Sequence, residues 1–314
     1  MVVQVSFWLF WDLPAHFVLS GKVVNVKSIR LRFAPSPNGY LHLGHAYSAL
    51  VNRQIAGKLN GELVLRMENI DITRCKTEFE DAIVEDLTWL GFDFQTPFRR
   101  QSEHFSDYQK ALDKLEQLGL VYPAFLTRGE IKEKIVAAER QGKNWPRDPD
   151  GTPLYPTDER SLSKIKAREM IAAGMPFSWR LNMDLAIDFA GSRLFWYEFH
   201  GNQTKRIIAR PELWGDVIIA RKDIPTSYHL SVVVDDALQK ITHVVRGADL
   251  FQATSVHRLL QTILGYEPPL YYHHPLVLGD DGHKLSKSNR DTSLRSLRKR
   301  GFTPQDIISL LPEF

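Results

Sequence analysis

A chain of 314 residues, 43% hydrophobic and 25% charged, has the composition of one or two globular domains, which excludes a disordered polymer, a collagen-like repeat and a miniature scaffold. Its single cysteine, Cys75, excludes an internal disulfide and a cysteine zinc cluster and fits a reducing, cytoplasmic setting. A net charge of +3, from 40 basic and 37 acidic side chains, leaves the partner open, because what matters is where the charges sit.

The first residues, Val5 to Trp11, are apolar, but Asp12, Pro14 and His16 interrupt them well short of the roughly 20 residues a membrane span needs. No basic residue precedes them as it would in a secretory signal, so residues 1–27 are expected to be a poorly ordered extension. From Ile29 the pattern reads strand, a turn punctuated by Pro35, Pro37 and Gly39, then a helix from about Gly44 to Lys58, the opening of a nucleotide-type βα unit. A second strand, Gly61 to Met67, leads to the acidic segment Glu68 to Asp71, and a helix from Glu78 to Leu90 stops at Gly91. Ser102 is expected to cap a further helix to Leu118. Alternating strands and helices predict a parallel sheet.

After Tyr122 the composition shifts. A charged helix, Arg128 to Arg140, runs into the turn-rich segment Asn144 to Pro153, which reads as an insertion. Strand-like runs resume at Phe177 to Leu181, Trp214 to Ala220 and Leu230 to Val234; the last is continuously apolar and is predicted to be a buried parallel strand. From Lys284 to Arg300 seven lysines and arginines face one aspartate, Asp291. That tail reads either as a stripe that follows a phosphate backbone or as an ordinary solvated helix, Ser293 to Arg300.

Two constellations carry chemistry. Between the first strand and first helix lies Arg32-Phe-Ala-Pro-Ser-Pro-Asn-Gly-Tyr-Leu-His42-Leu-Gly44-His45. A helix amino terminus attracts phosphate, Gly44 allows close backbone approach, and His42 and His45 place two imidazoles on one helix face. The second is Asp280-Asp-Gly-His-Lys284-Leu-Ser-Lys287-Ser288, whose lysines and hydroxyls suit a triphosphate and the charge that builds on departing pyrophosphate. Either pattern alone is commonplace; both together, in this order, make a specific signal.

On these residues the chain resembles the class I aminoacyl-tRNA synthetases, with His42-Leu-Gly-His45 in place of their HIGH motif and Lys284-Leu-Ser-Lys-Ser288 in place of KMSKS. The segments Arg66-Met-Glu-Asn-Ile-Asp71, Glu85 to Gly91, Val232-Val-Val-Asp-Asp236 and Thr242 to Asp249 resemble the glutamyl branch. The chain ends soon after Ser288, leaving no room for a helical anticodon-binding region. It is therefore expected to resemble the glutamyl-queuosine tRNA(Asp) synthetases, which attach glutamate to queuosine in the anticodon of tRNA(Asp). The rival reading is a truncated glutamyl-tRNA synthetase that charges the 3′ end of tRNA(Glu). A non-catalytic RNA-binding paralogue would have lost the phosphate-binding residues, and a nucleotidylyltransferase would have no use for the glutamate-binding set.

The resemblance implies an α/β fold: a Rossmann-type parallel-sheet catalytic domain in two halves, 28–121 and 211–290, an inserted α+β subdomain over 122–210, and a basic tail over 291–314. It implies L-glutamate, ATP with Mg²⁺ and tRNA(Asp) carrying queuosine as substrates, and a monomer without membrane contact. Arg32, Phe33, Ala34, Pro35, Ser36, Glu68, Tyr228 and Arg246 would bind glutamate, with Glu68 on the α-ammonium and arginines on the carboxylates. His42, Gly44, His45, Lys284, Ser286, Lys287 and Ser288 would bind ATP, and His42, His45 and Lys287 would act in catalysis. One departure stands out. Where many family members carry Tyr-Pro-Cys-x-Cys and Tyr-x-x-x-Cys for zinc, this chain has Tyr122-Pro-Ala124-Phe-Leu126 and Tyr155-Pro-Thr-Asp-Glu159. No stoichiometric zinc is expected, and apolar packing of Ala124, Phe125 and Leu126 is expected to take over.

Overall fold

The computed structural model describes residues 28–278 and 293–313, apart from Ser192 and Lys222. The expected extension, residues 1–27, lies outside them. In chain order the strands are β1 Arg30–Phe33, β2 Glu62–Met67, β3 Arg99–Arg100, β4 Val121–Ala124, β5 Ser178–Leu181, β6 Phe195–His200, β7 Gln203–Ile208, β8 Ile218–Arg221, β9 His243–Gly247 and β10 Leu270–His274. The helices are α1 Leu43–Lys58, α2 Thr77–Trp89, α3 Phe105–Gln117, α4 Arg128–Arg140, α5 Lys164–Ala172, α6 Met183–Ala190, α7 Tyr228–Leu238, α8 Thr254–Leu264, α9 Leu294–Lys299 and α10 Pro304–Ser309. None of the described helices is long and apolar enough to cross a membrane.

The central sheet runs β3-β2-β1-β9-β10-β6-β7. It is parallel throughout except for the terminal β6–β7 hairpin, as βα alternation predicts. Chain order reverses at β1, which pairs with β2 on one side and β9 on the other; such a switch point opens a crevice beyond the carboxyl ends of the strands. The first β-α-β segment follows the sequence pattern closely: buried Ala46, Ala49 and Leu50 of α1 pack on Phe33 and Leu65.

Four expectations differ from the observed fold. Leu230 to Val234 is not a strand but part of α7, opened by Ser227 Oγ accepting from Leu230 N. The helix is wedged among α3, α8 and β8, and Leu230 through Asp236 are all buried. A helix buried all round loses its 3.6-residue polarity signal, so an apolar run cannot be told from a central strand. Ser102 caps nothing; it sits in a short 3₁₀ turn, Gln101–Glu103, and gives its backbone N–H to Asn69 Oδ1 at 2.9 Å. Only Ile218 onward of the Trp214 run is strand, because Gly215 turns the chain at φ +55° after the 3₁₀ turn Pro211–Trp214. Finally, the boundaries 122–210 do not follow the sheets. Strands β6 and β7 join the central sheet, while β8 pairs with β5 in the small antiparallel sheet β4-β5-β8.

The tail helix α9 is capped by Ser293, and its Leu294 and Leu297 are buried against Ile83 and Leu87 of α2. One face is therefore core rather than solvated. Ser293 also forms an antiparallel bridge with His42, which brings the tail to the entrance of α1.

Beneath α9, Asp86 of α2 is fully buried. Among the described residues neither of its carboxylate oxygens has a hydrogen-bond partner, and Arg298 Nη1 stands 3.9 Å away. Burial pushes its pKa up to about 6 despite the opposing pull of Arg298. A folded pKa above the unfolded value makes its contribution fully favourable below about pH 4 and lost as pH rises through about 6. Asp86→Asn should remove that loss, gaining up to about 3 kcal/mol over the wild type between pH 4 and pH 7.5. Urea unfolding at the two pH values measures the difference.

Candidate active site

The carboxyl ends of β1, β2, β9 and β10 converge on one cleft of about 940 Å³. From β1 and its turn come Arg32, Phe33, Ala34, Pro35 and Ser36; from the end of β2, Glu68; from α7, Tyr228; from β9, Arg246; and from α1, His42, Gly44 and His45. All of these were singled out in the sequence. Lys284, Ser286, Lys287 and Ser288 lie outside the described residues.

The two histidines begin as structure. His42 is the N-cap of α1, its Nδ1 accepting from Gly44 N at 3.1 Å, while His45 Nδ1 accepts from His42 N at 3.2 Å. Each imidazole thus does the work that Ser and Glu share in the usual capping box. Accepting at Nδ1 leaves the proton of each neutral ring on Nε2. The rings lie 3.9 Å apart between centroids. At Gly44 a Cβ would sit 3.0 Å from His42 Cε1, so the capping imidazole would have to give by a few tenths of an ångström.

The floor of the cleft is charged. Glu68 receives Arg66 Nη2 at 3.1 Å, and Arg66 Nη1 reaches Asp236 Oδ1 at 2.7 Å. The same Asp236 oxygen takes Arg32 Nε at 3.3 Å. Burial raises the Glu68 carboxyl above its ordinary value, partly offset by Arg66 and Arg32. For Asp236 burial works in the same direction, but Arg66 and Arg32 outweigh it and hold the carboxyl below the usual range. Burial disfavours the Arg66 cation, yet Asp236, Glu68 and Asp235 more than compensate.

Arg246 is held by neutral partners. Its Nη2 donates to Thr254 Oγ1 at 2.7 Å, its Nε to His273 Nε2 at 3.1 Å, and its Nη1 to His257 Nδ1 at 3.2 Å and to Tyr228 Oη at 3.5 Å. A guanidinium only donates, so His273 carries its proton on Nδ1, toward Glu198 Oε1 at 2.7 Å, and His257 carries its own on Nε2, toward His229 Nδ1 at 3.2 Å. Burial and the Arg246 charge lower His257 well below its ordinary value and His229 to about 4. None of the side chains hydrogen-bonded to Arg246 therefore carries a neutralising charge; Asp236 feels the cation through space. Arg66, Asp236, His257 and His273 hold these site residues in place without being marked as site residues by the motifs. The available signal was charge inside otherwise apolar runs, as with Arg66 within Leu63 to Met67.

A second cavity of about 500 Å³ adjoins the cleft and shares Arg74 and Tyr228 with it; Asp71, Trp214 and His229 are among its walls. Its far side is the small sheet, next to the positions where Ala124, Leu126 and Glu159 replace the thiolates of the family pattern. Ala124 and Phe125 are buried as expected. A carboxylate contributes as well: Glu159 accepts from Phe125 N at 3.0 Å, from Leu126 N at 3.4 Å and from Tyr155 Oη. With Ala124 and Leu126 at two of the three positions and Glu159 so engaged, these residues do not fit a zinc ion. Among the described residues no three His, Cys, Asp or Glu side chains converge as a metal site.

Comparison with known proteins agrees with this geometry. Residues 28–313 match the family described as tRNA synthetases class I (E and Q), catalytic domain. The chain is 40% identical over 287 residues to the glutamyl-Q tRNA(Asp) synthetase of Rhodobacter capsulatus, covering 89% of this chain and 98% of that protein. It is 35% identical to the glutamate–tRNA ligase of Aquifex aeolicus, covering 91% of this chain but 57% of the ligase. The crystal structure of a glutamate tRNA ligase from Elizabethkingia meningosepticum in complex with its amino acid superimposes with a TM-score of 0.67 at 27% identity, covering 88% of this chain and 54% of that one. The chain thus spans just over half the length of these ligases.

The capping role of His42 can be tested apart from any chemistry. Asparagine also caps well, so His42→Asn should stay within about 0.5 kcal/mol of the wild type, whereas His42→Ala should lose about 1 kcal/mol. Equilibrium unfolding of the two variants gives the comparison.

Proposed function

Because the chain belongs to the class I tRNA synthetases of the E and Q type, we propose that it activates L-glutamate with ATP and passes the glutamyl group to the queuosine base of tRNA(Asp). The observation that carries the first half is one cleft in which Glu68, Arg32 and Arg246 stand beside the His42/His45 terminus of α1. A carboxylate and two guanidiniums match the ammonium and two carboxylates of glutamate. The amino terminus of a helix with two imidazoles lining the cleft matches a phosphate chain. Similarity along nearly the full length of a glutamyl-Q tRNA(Asp) synthetase supports the second half.

In this reading an α-carboxylate oxygen of glutamate attacks the α-phosphorus of ATP, forming glutamyl-adenylate and releasing pyrophosphate. Glu68 holds the ammonium, and Arg32 and Arg246 hold the carboxylates against Ser36 and Tyr228. The Nε2–H groups of His42 and His45 donate to the phosphates, and Lys284, Ser286, Lys287 and Ser288 contribute further donors to ATP with the Mg²⁺ that it carries. Such catalysis is positioning and charge stabilisation, with no side-chain nucleophile. A hydroxyl of the acceptor then attacks the acyl carbon, AMP leaves, and its phosphate takes the hydroxyl proton. The second cavity, reached past Tyr228, has room for the acceptor base, with Trp214 as a stacking face and Asp71 as an acceptor.

Labelled glutamate, ATP and protein are to be offered tRNA(Asp) with queuosine, tRNA(Asp) without it, and tRNA(Glu). Label should appear on the queuosine-containing tRNA(Asp) alone; label on tRNA(Glu) would make the protein a tRNA(Glu)-charging enzyme instead. In the same preparation Lys287→Ala should reduce glutamate-dependent ATP–pyrophosphate exchange by about a hundredfold, the scale of one preorganised donor. An undiminished rate takes Lys287 out of the mechanism.

A further inference from the structure

Glu68, Arg66, Asp236 and Arg32 form one chain of alternating sign, linked by contacts of 3.1, 2.7 and 3.3 Å. Only the two ends line the cleft. The middle pair lies beneath it, the Arg66 side chain 0% and the Asp236 side chain 9% exposed. We propose that Arg66 and Asp236 are positioning residues: buried under the cleft, they hold one anion and one cation at a fixed separation, so that the site selects a zwitterion over a plain dicarboxylate. The proposal rests on the reading that the cleft binds glutamate.

Each link follows from donor geometry. Arg66 divides its fork, giving Nη1 to Asp236 and to Gln239 Oε1 at 3.0 Å and Nη2 to Glu68, so one rigid plane fixes the direction of Glu68. Asp236 uses one oxygen for Arg66 and for Arg32, and Arg32 is further tied to Val245 O at 3.3 Å. Without Arg66, Glu68 would share a poorly hydrated space with Asp236, and two like charges would face each other there. The ammonium end of the site would then be lost while the carboxylate end stayed largely intact. Without the Asp236 charge, Arg32 loses its anchor and the carboxylate end loosens instead. A buried ion pair that served only stability would show no such division, since its replacement acts on folding and not on the preference between the two ligands.

The test compares L-glutamate with glutarate, which keeps both carboxylates and lacks the ammonium, using exchange kinetics for glutamate and ATP and competitive inhibition for glutarate. Arg66→Met should raise the KM for glutamate about tenfold or more, the scale of a lost charge-assisted contact. It should leave the KM for ATP and the inhibition constant of glutarate within about twofold. Arg66→Lys, which can serve only one of the two carboxylates, should fall between. Asp236→Asn, nearly isosteric and usable even if Arg66→Met does not fold, should weaken glutamate and glutarate by similar factors with ATP unchanged. Equal losses of glutamate and glutarate in Arg66→Met, or an ATP constant that moves with them in Asp236→Asn, overturns the proposal. A wild-type protein without glutamate-dependent exchange overturns the proposed function instead, so the two failures are distinct.

Discussion

The constraint on which the molecule depends is the parallel pairing of β1 between β2 and β9. It aligns the carboxyl ends of strands far apart in sequence, so that Arg32 at the end of β1, Glu68 just past β2 and Arg246 on β9 reach the same space. The register also sets the depth of each side chain, since slipping one residue would turn Arg32 to the opposite face of the sheet. Helix α1 leaves this edge at once, which places its His42-capped amino terminus at the same cleft.

Electrostatics then distinguishes the two sides of the cleft. On one side Arg32, Arg66, Glu68 and Asp236 offset one another's burial. On the other, Arg246 is surrounded by imidazoles that burial and its own charge keep neutral. A carboxylate partner for Arg246 would have satisfied the fold equally well and cancelled the charge that the cleft presents. The nearest acid in that network, Glu198, is separated from Arg246 by His273, which bonds to both. Burial of these polar groups is tolerable because most of them are hydrogen-bonded or ion-paired; buried Arg66 Nε has no hydrogen-bond partner but stands 3.7 Å from Asp235 Oδ2.

The small sheet shows a different solution to a local problem. The thiolates that would bind a metal are absent from the positions where the family resemblance places them. Glu159 joins two backbone N–H groups of the β4 edge to the Tyr155 hydroxyl. Arg180 lies over the Tyr155 ring, 3.6 Å from its centroid. Buried Asp216 ties Arg160, Tyr122 and Met183 N together nearby. Hydrogen-bonded carboxylates thus stand where metal coordination would otherwise gather the chain.

Local chemistry was legible from the residues alone. The strand-turn-helix at Arg32 to Lys58 and the helix Arg128–Arg140 follow from patterns within a few residues of each other, whereas the grouping of the His42 segment with Glu68, Tyr228 and Arg246 is what the family resemblance implies. What the sequence could not disclose is what depends on three-dimensional surroundings. Leu230 to Val234 is helical because α3, α8 and β8 enclose it on every side, which erases the periodicity that marks a helix. Strands β6 and β8 belong to sheets on opposite sides of the expected boundary because pairing partners are chosen by packing across long separations. Arg66 and Asp236, 170 positions apart, meet only after the sheet closes. Residue type and spacing specify local structure and candidate chemistry, whereas burial and the company a charge keeps exist only once the tertiary structure has formed.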